Sequence, residues 1–318
     1  MSRRIAVINN TWAGKRHSRS GEVRTFLKRH PEIQHRETHD DHSVPQALRE
    51  FEEAGVEVLV LVGGDGTVQH TLTRLLGEGG SGWMPLIAPL PGGSTNATAI
   101  DLGTQRSAVR GLAALIQAAR EERLAERIVE RSVLRVALPD EVRFGMVFGA
   151  GMFARAVSLT HQSFPQGRLQ GAFGTSITLL VQLSRAARGR FQGVLALDKM
   201  QIRYDREPEL SQEVLLSLVT TNRRLILGLN PFWGQEPAPL RVTTVEGRAE
   251  HAARAIPGIL RGRPQAFVTP ERGYTSRNVH QLELCLDAAL VLDGELLPPT
   301  PDRRVRISAV EGVRFLRA

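Results

Sequence analysis

Residues 57–67 read EVLVLVGGDGT and residues 86–103 read LIAPLPGGSTNATAIDLG. Each stretch carries an apolar run without alternation that ends in a pair of glycines. Such a run marks a strand covered on both faces, the usual state of a strand inside a parallel sheet. After the first turn Val68, Leu72, Leu75 and Leu76 recur at helical spacing as far as Gly77, and a helix follows the second from about Gln105 to Arg120. In an open parallel sheet such turns lie together at the carboxyl edge, where ligands bind. Toward the amino end, Arg4 to Ile8 reads as another strand, with Gly21 to His30 and Val44 to Ala54 as helices. The first third is therefore expected to be parallel α/β.

In the other direction the texture changes at about Val129. Val133 to Leu138, Arg143 to Phe148, Lys199 to Tyr204, Val214 to Val219, Leu240 to Val245 and Leu282 to Leu292 read as short strands, for which antiparallel pairing is the better account. Gly171 to Ala187 interrupts them with Phe173, Ile177, Leu180 and Leu183 at helical spacing. Arg303 to Leu316 reads as a closing strand pair, part of which is expected to pack back on the first domain.

A chain of 318 residues suits one or two domains. With 42% hydrophobic and 23% charged residues it is neither disordered nor fibrous. Cys285 is the sole cysteine, which excludes an internal disulfide framework and a cysteine zinc site, and suits a reducing, cytoplasmic compartment. The amino end lacks the apolar core of a signal peptide, and no run approaches the ~20 residues that cross a bilayer. The net charge of +8 favours anionic partners: phosphorylated small molecules, nucleic acid or an acidic lipid surface. All the basic residues except Lys15, Lys28 and Lys199 are arginine, spread along the chain. No basic block interleaved with aromatics appears, so nucleic acid is not expected.

Gly63-Gly64-Asp65-Gly66-Thr67 lets the backbone turn sharply and aims several N–H groups at one spot, at the start of a helix whose dipole favours anions. This is a phosphate cradle, with a plain strand-to-helix turn as its bland alternative. A carboxylate there repels phosphate unless a cation intervenes, so Asp65 is expected to order Mg²⁺ on a nucleotide. Two commoner signatures fail. Gln69 stands where a dinucleotide fingerprint needs its third glycine, and around Gly14-Lys15 a P-loop would need glycine at Asn9 and Ser or Thr at Arg16.

VLVGGDGT, then LIAPLPGGSTNATAIDLG, with INNTWAGK before them and Val291-Leu292-Asp293-Gly294-Glu295-Leu296 near the other end, resembles the catalytic region of the diacylglycerol kinase and sphingosine kinase family of lipid kinases. GGDGT alone is shared with NAD kinases and phosphofructokinases; the set of four, in this order, is far more specific. The resemblance implies an NAD kinase-like α/β nucleotide-binding domain over 1–128, a β-sandwich substrate domain over 129–302 and closing strands at 303–318. It also implies an ATP-dependent kinase acting on a lipid hydroxyl. Asn9, Ala13, Gly14 and Lys15 would lie along the phosphates, Gly63, Gly64, Asp65, Gly66 and Thr67 would cradle them, and Gly93, Ser94, Thr95 and Asn96 would reach the nucleotide from the second turn. Asp293 would take the proton from the lipid hydroxyl, supported by Glu295. A hairpin turn is the structural alternative for Asp293-Gly294-Glu295.

Three departures bear on the substrate. Asn96-Ala97 replaces the Asn-Asp of many bacterial members. Arg155 stands where an acidic residue would hold a lipid head group, which argues against a cationic amino-lipid and for acidic or neutral groups. Gln235-Glu236-Pro237-Ala238 replaces an Asp-Asp-Gly, which puts a structural Mg²⁺ site there in doubt. His35, His39 and His42 with Asp40 and Asp41 read as a solvated polar loop. Trp233 reads equally as the lining of a lipid mouth or as part of a packed loop. The chain is expected to meet an anionic membrane surface peripherally, through basic and a few exposed apolar residues, with a homodimer left open. An NAD kinase and a non-catalytic nucleotide-binding module remain the alternatives to a lipid kinase.

Overall fold

The structure, a computed structural model, describes residues 4–11, 17–39, 43–78, 82–93, 95–163, 196–225, 228–299 and 304–318. The chain divides into two compact units: 1–131 with 312–318, and 132–311.

The first unit begins with β1 (Ile5–Asn10), α1 (His17–Leu27), β2 (Gln34–Thr38), α2 (Ser43–Glu53), β3 (Val58–Gly63), α3 (Asp65–Leu76) and β4 (Leu86–Pro91). The short helix α4 (Ala97–Asp101) and α5 (Ala108–Arg120) follow. The strands pair in parallel in the order β2-β1-β3-β4. All six residues of β3 and of β4 are buried, which is why their sequences show no alternation. On one helical layer α5 presents Ala108, Leu112, Leu115 and Ile116 to a core shared with Val60, Val62, Ala88 and Leu90. Ser107 starts α5 by accepting from the Arg110 N–H (3.4 Å).

The second unit is mainly antiparallel. Its elements are β5 (Ile128–Ala137, begun in the first unit), β6 (Val142–Gly145), β7 (Val147–Gly151), α6 (Met152–Ser163), β8 (Asp198–Tyr204), β9 (Leu210–Thr220) and β10 (Leu240–Glu246). Then come α7 (Ala252–Leu260), β11 (Tyr274–Val279), β12 (Gln281–Leu286), β13 (Leu290–Leu292), β14 (Glu295–Leu297) and β15 (Arg304–Leu316). The ladder runs β14-β13-β7-β9-β8-β12-β15, with β11 on β10 and β10 on β9. Leu134, Phe148, Met200, Ile202, Val219, Leu282, Leu284 and Ile307 form its largest core.

Several sequence expectations are corrected. His35 lies in β2, an edge strand of polar residues in which exposed Gln34 and Arg36 alternate with half-buried His35 and Glu37; it is held by the β1 backbone rather than by an apolar face. The strand expected over 143–148 breaks at Met146, whose carbonyl accepts from Thr220 Oγ1 (2.7 Å) and the Thr221 N–H (3.3 Å). The strand expected over 282–292 is two, β12 and β13. The closing pair is the single strand β15, and Gly312 (φ 73°) stands where the chain returns to the first unit. There Phe315 pairs with Ile87, and Leu316 and Ala318 join the first core. The helix expected at 171–187 lies outside the described residues.

Candidate functional site

Because β3 and β4 are neighbours, the two glycine turns that follow them meet. The Gly92 N–H donates to the Gly63 carbonyl (2.9 Å). A Cβ on Gly93 would stand 2.5 Å from Gly64 Cα, so the backbones can touch only because Gly93 has no side chain. Asn96 builds the second turn. It takes the left-handed conformation (φ 54°), its Oδ1 accepts from the Gly93 N–H and its Nδ2 donates to the Gly93 carbonyl, both at 2.9 Å. Thr67 ties in β1, since Asn10 Nδ2 donates to Thr67 Oγ1 (2.8 Å).

The cradle fits the phosphates of a nucleotide. Gly64, at the N-cap of α3, offers no side-chain cap to the start of the helix, whose dipole favours an anion, while the Thr67 N–H turns back to the Gly64 carbonyl (3.1 Å). A Cβ on Gly66 would meet nothing within 4 Å, so a ligand can approach the backbone there. On β1, Asn9 is fully buried and donates from Nδ2 to the Ser20 carbonyl (3.3 Å), while its Oδ1 has no partner. Buried polar atoms are nearly always paired, and an orphan marks a place for a ligand or water. Thr95 lies half-buried on the second turn. Ala13, Gly14, Lys15 and Ser94 lie outside the described residues.

Asp65 makes a contact within the protein. Its side chain turns inward, only 8% of the residue is exposed, and Oδ1 accepts from the Thr98 N–H in α4 (3.0 Å). Burial pushes its pKa above the ordinary carboxylate value, against the opposing hydrogen bonds from Ala97, Thr98 and Asn96. A carboxylate enclosed in this way does not fit a direct Mg²⁺ ligand, which would need an open lone pair. Among the described residues no three His, Cys, Asp or Glu side chains gather as a metal site.

In the second unit Asp293 and Gly294 form the two-residue turn between β13 and β14, both with positive φ (50° and 89°). The structural alternative for this motif is therefore correct as geometry. The turn also aims a carboxylate. Oδ1 of Asp293 accepts from the Val147 N–H (2.9 Å) and Oδ2 from the Met146 N–H (3.0 Å). A Cβ on Gly145 would lie 2.6 Å from Oδ2, so glycine is needed there for the carboxylate to fit. Glu295 is ion-paired with Arg143 (2.9 Å), which also holds Glu141 (2.8 Å).

Arg155, on α6, donates from Nη1 to both oxygens of Asp198 (2.8 and 2.7 Å) and from Nη2 to the Ala196 carbonyl. Its charge is neutralised within the protein, which removes the reason for reading it as a selector of the acceptor's charge. Glu236 accepts from the Asn278 N–H (2.8 Å) and holds a loop. Trp233 packs against the core around Met152 and Tyr274. Asn10, Gly145, Met146 and Val147 adjoin these turns and were passed over by pattern reading. Only the doubled asparagine, Asn9-Asn10, was visible as a signal.

Residues 4–126 match the model of the diacylglycerol kinase catalytic domain, a span that contains both glycine turns. The matched span lies within the first unit. Solved structures agree on the fold along the whole chain. A Bacillus anthracis protein provisionally named a diacylglycerol kinase superposes with TM-score 0.67 at 16% identity, covering 99% of this chain and 97% of that one. Another structure, of a diacylglycerol kinase from the same organism, gives TM-score 0.63 at 15% identity, with 99% and 97% covered. At such identities they show a shared fold. No curated protein sequence matches the chain. Among the described residues, no helix is long and apolar enough to cross a membrane.

Proposed function

We propose that the protein is an ATP-dependent lipid kinase that moves the γ-phosphoryl group of ATP to a hydroxyl of a diacylglycerol- or sphingoid-like lipid. What carries the reading is that the family match falls on the two glycine turns, whose backbones lie against each other at the open start of α3. ATP would supply the phosphoryl group, held by the residues of the first turn from Gly63 to Thr67, by Gly93 and Asn96 of the second, and by Asn9 beside them. The family resemblance adds Ala13, Gly14, Lys15, Ser94 and Thr95. Phosphoryl transfer asks the protein mainly for positioning and charge stabilisation, which backbone amides fixed by tight turns provide. No step is assigned to Mg²⁺, because Asp65 does not fit as its ligand.

Asp293 is the base in this reading. A lipid hydroxyl has a pKa far above neutrality, so a carboxylate helps by accepting the proton late, as the bond to phosphorus forms. The Met146 and Val147 amides fix the direction in which that carboxylate points. Diacylglycerol, the lipid in the names of the structural neighbours, is the first acceptor to try. The basic surface would bring the protein to anionic membranes peripherally.

The test is Asp293→Asn assayed with a panel of diacylglycerol, sphingosine and NAD. ATP binding should persist while lipid phosphorylation falls by ~10²-fold or more. Turnover of NAD alone would replace the lipid reading with a small-molecule kinase, and ATP binding with no acceptor would leave a binding module.

A further inference from the structure

Helix α4 spans five residues, Ala97–Asp101, too few to hold their shape through their own hydrogen bonds. It is held from outside at both ends. At the front, the Thr98 N–H meets Asp65. At the back, Asp101 pairs with Arg131: Nε donates to Oδ2 (3.0 Å), Nη2 to the Asp101 carbonyl (3.5 Å), and Nη1 to the Glu130 carbonyl (3.1 Å). The two side chains are only 2% and 11% exposed.

We infer that Arg131 is a positioning residue for the second glycine turn: through Asp101 it fixes α4, and through α4 it fixes Asn96 and Gly93. The contact chain is continuous. Asn96 is the N-cap of α4, its side chain brackets Gly93 on both sides, and Gly93 lies so close to Gly64 that a methyl group would not fit. A shift at Asp101 therefore moves the surface offered to a phosphate. Stability alone is a weak reason for such a pair, since apolar residues of equal volume can be as stable; a buried pair is better used to fix register. Arg131 is also the last residue of the first unit before the chain enters the second at Ser132. The inference rests on the kinase reading only for what the turn holds.

The experiment uses the full chain and the variants Arg131→Met, Arg131→Lys and Arg131→Met/Asp101→Leu, read by amide hydrogen exchange and by the split between KM for ATP and kcat. In Arg131→Met the Gly93 and Thr98 amides should exchange at least ~10-fold faster while those of α2 stay unchanged. KM for ATP should rise by about 10-fold and kcat change by less than about 3-fold, with the lysine variant between wild type and methionine. The double variant, free of an unpaired buried charge, should recover melting temperature yet keep the fast exchange and raised KM; it also carries the test if Arg131→Met does not fold. Unchanged exchange at both amides, or a lower melting temperature with unchanged KM for ATP, overturns the inference. If wild type turns over no ATP with any acceptor, the kinase reading fails while the exchange data still decide for or against Arg131.

Discussion

Asp65→Asn and Asp65→Ala should part company, because they remove different things. Oδ1 of Asp65 accepts from the Thr98 N–H at 3.0 Å in a nearly closed environment. Asparagine keeps an acceptor there and drops the buried charge; alanine drops both. An unpaired buried amide costs about 1–3 kcal/mol, which is roughly 5- to 150-fold in the population of the ordered turn. ATP affinity should therefore fall by about that factor in Asp65→Ala and stay within about 3-fold of wild type in Asp65→Asn. The pH dependence has a definite sign. Burial raises the folded-state pKa of Asp65 above its ordinary 3.8, so the group favours folding most fully below that ordinary value and loses its contribution as pH rises through the folded value. Asp65→Asn escapes this loss, and its melting temperature should gain on wild type as pH is raised from 4 to 8. Thermal melts across that range and ATP titrations with and without Mg²⁺ read both effects. If Asp65→Asn melts at or above wild type yet loses ~10²-fold or more in Mg²⁺-ATP affinity, while Asp65→Ala is no worse, the charge acts on the bound nucleotide and not on α4.

The glycines give a contrast. Gly93→Ala should lower both melting temperature and ATP affinity, because its methyl would strike Gly64, whereas Gly66→Ala should gain ~0.5–1 kcal/mol of helix stability and lose only ATP affinity. Equal behaviour of the two would mean that no ligand approaches Gly66. Arg155→Met should lower the melting temperature by leaving Asp198 unpaired and should leave acceptor preference unchanged; a switch of acceptor in a lipid panel would restore Arg155 to the substrate site. With a net charge of +8, vesicle binding should rise with anionic lipid and fall with added salt, and equal binding to neutral vesicles would reject peripheral electrostatic contact.

What was legible in the sequence was what local pattern controls. β3 and β4 are apolar up to their glycine turns because both faces are covered, so the sequence alone places those turns at one edge of the sheet. β2 was hidden because an edge strand can be held by backbone pairing alone, and HRE shows no apolar face. α7 is absent from the sequence reading; its Pro257-Gly258 has the composition of a turn, although the helix continues through both to Leu260. Met146 ended a strand whose side-chain pattern ran straight through it, because the interruption comes from hydrogen bonds to Thr220, Thr221 and Asp293 from distant parts of the chain.

The same limit explains why the two carboxylates of the motifs came out unequally. Asp293 occupies a turn that demands positive φ at two successive residues, and Asp-Gly meets that demand from composition alone. The turn holds the carboxylate against the Met146 and Val147 amides, and the proposed chemical role would use that same turn. Asp65 sits in a motif that also reads locally, yet its partner is a backbone amide 33 residues further on. Nothing in GGDGT says whether its carboxylate faces outward to a cation or inward to a neighbouring helix. That choice is made by α4, which is long enough to need anchoring but too short to announce itself in the sequence. A motif thus names the residues of a phosphate site more securely than it assigns each of them a job.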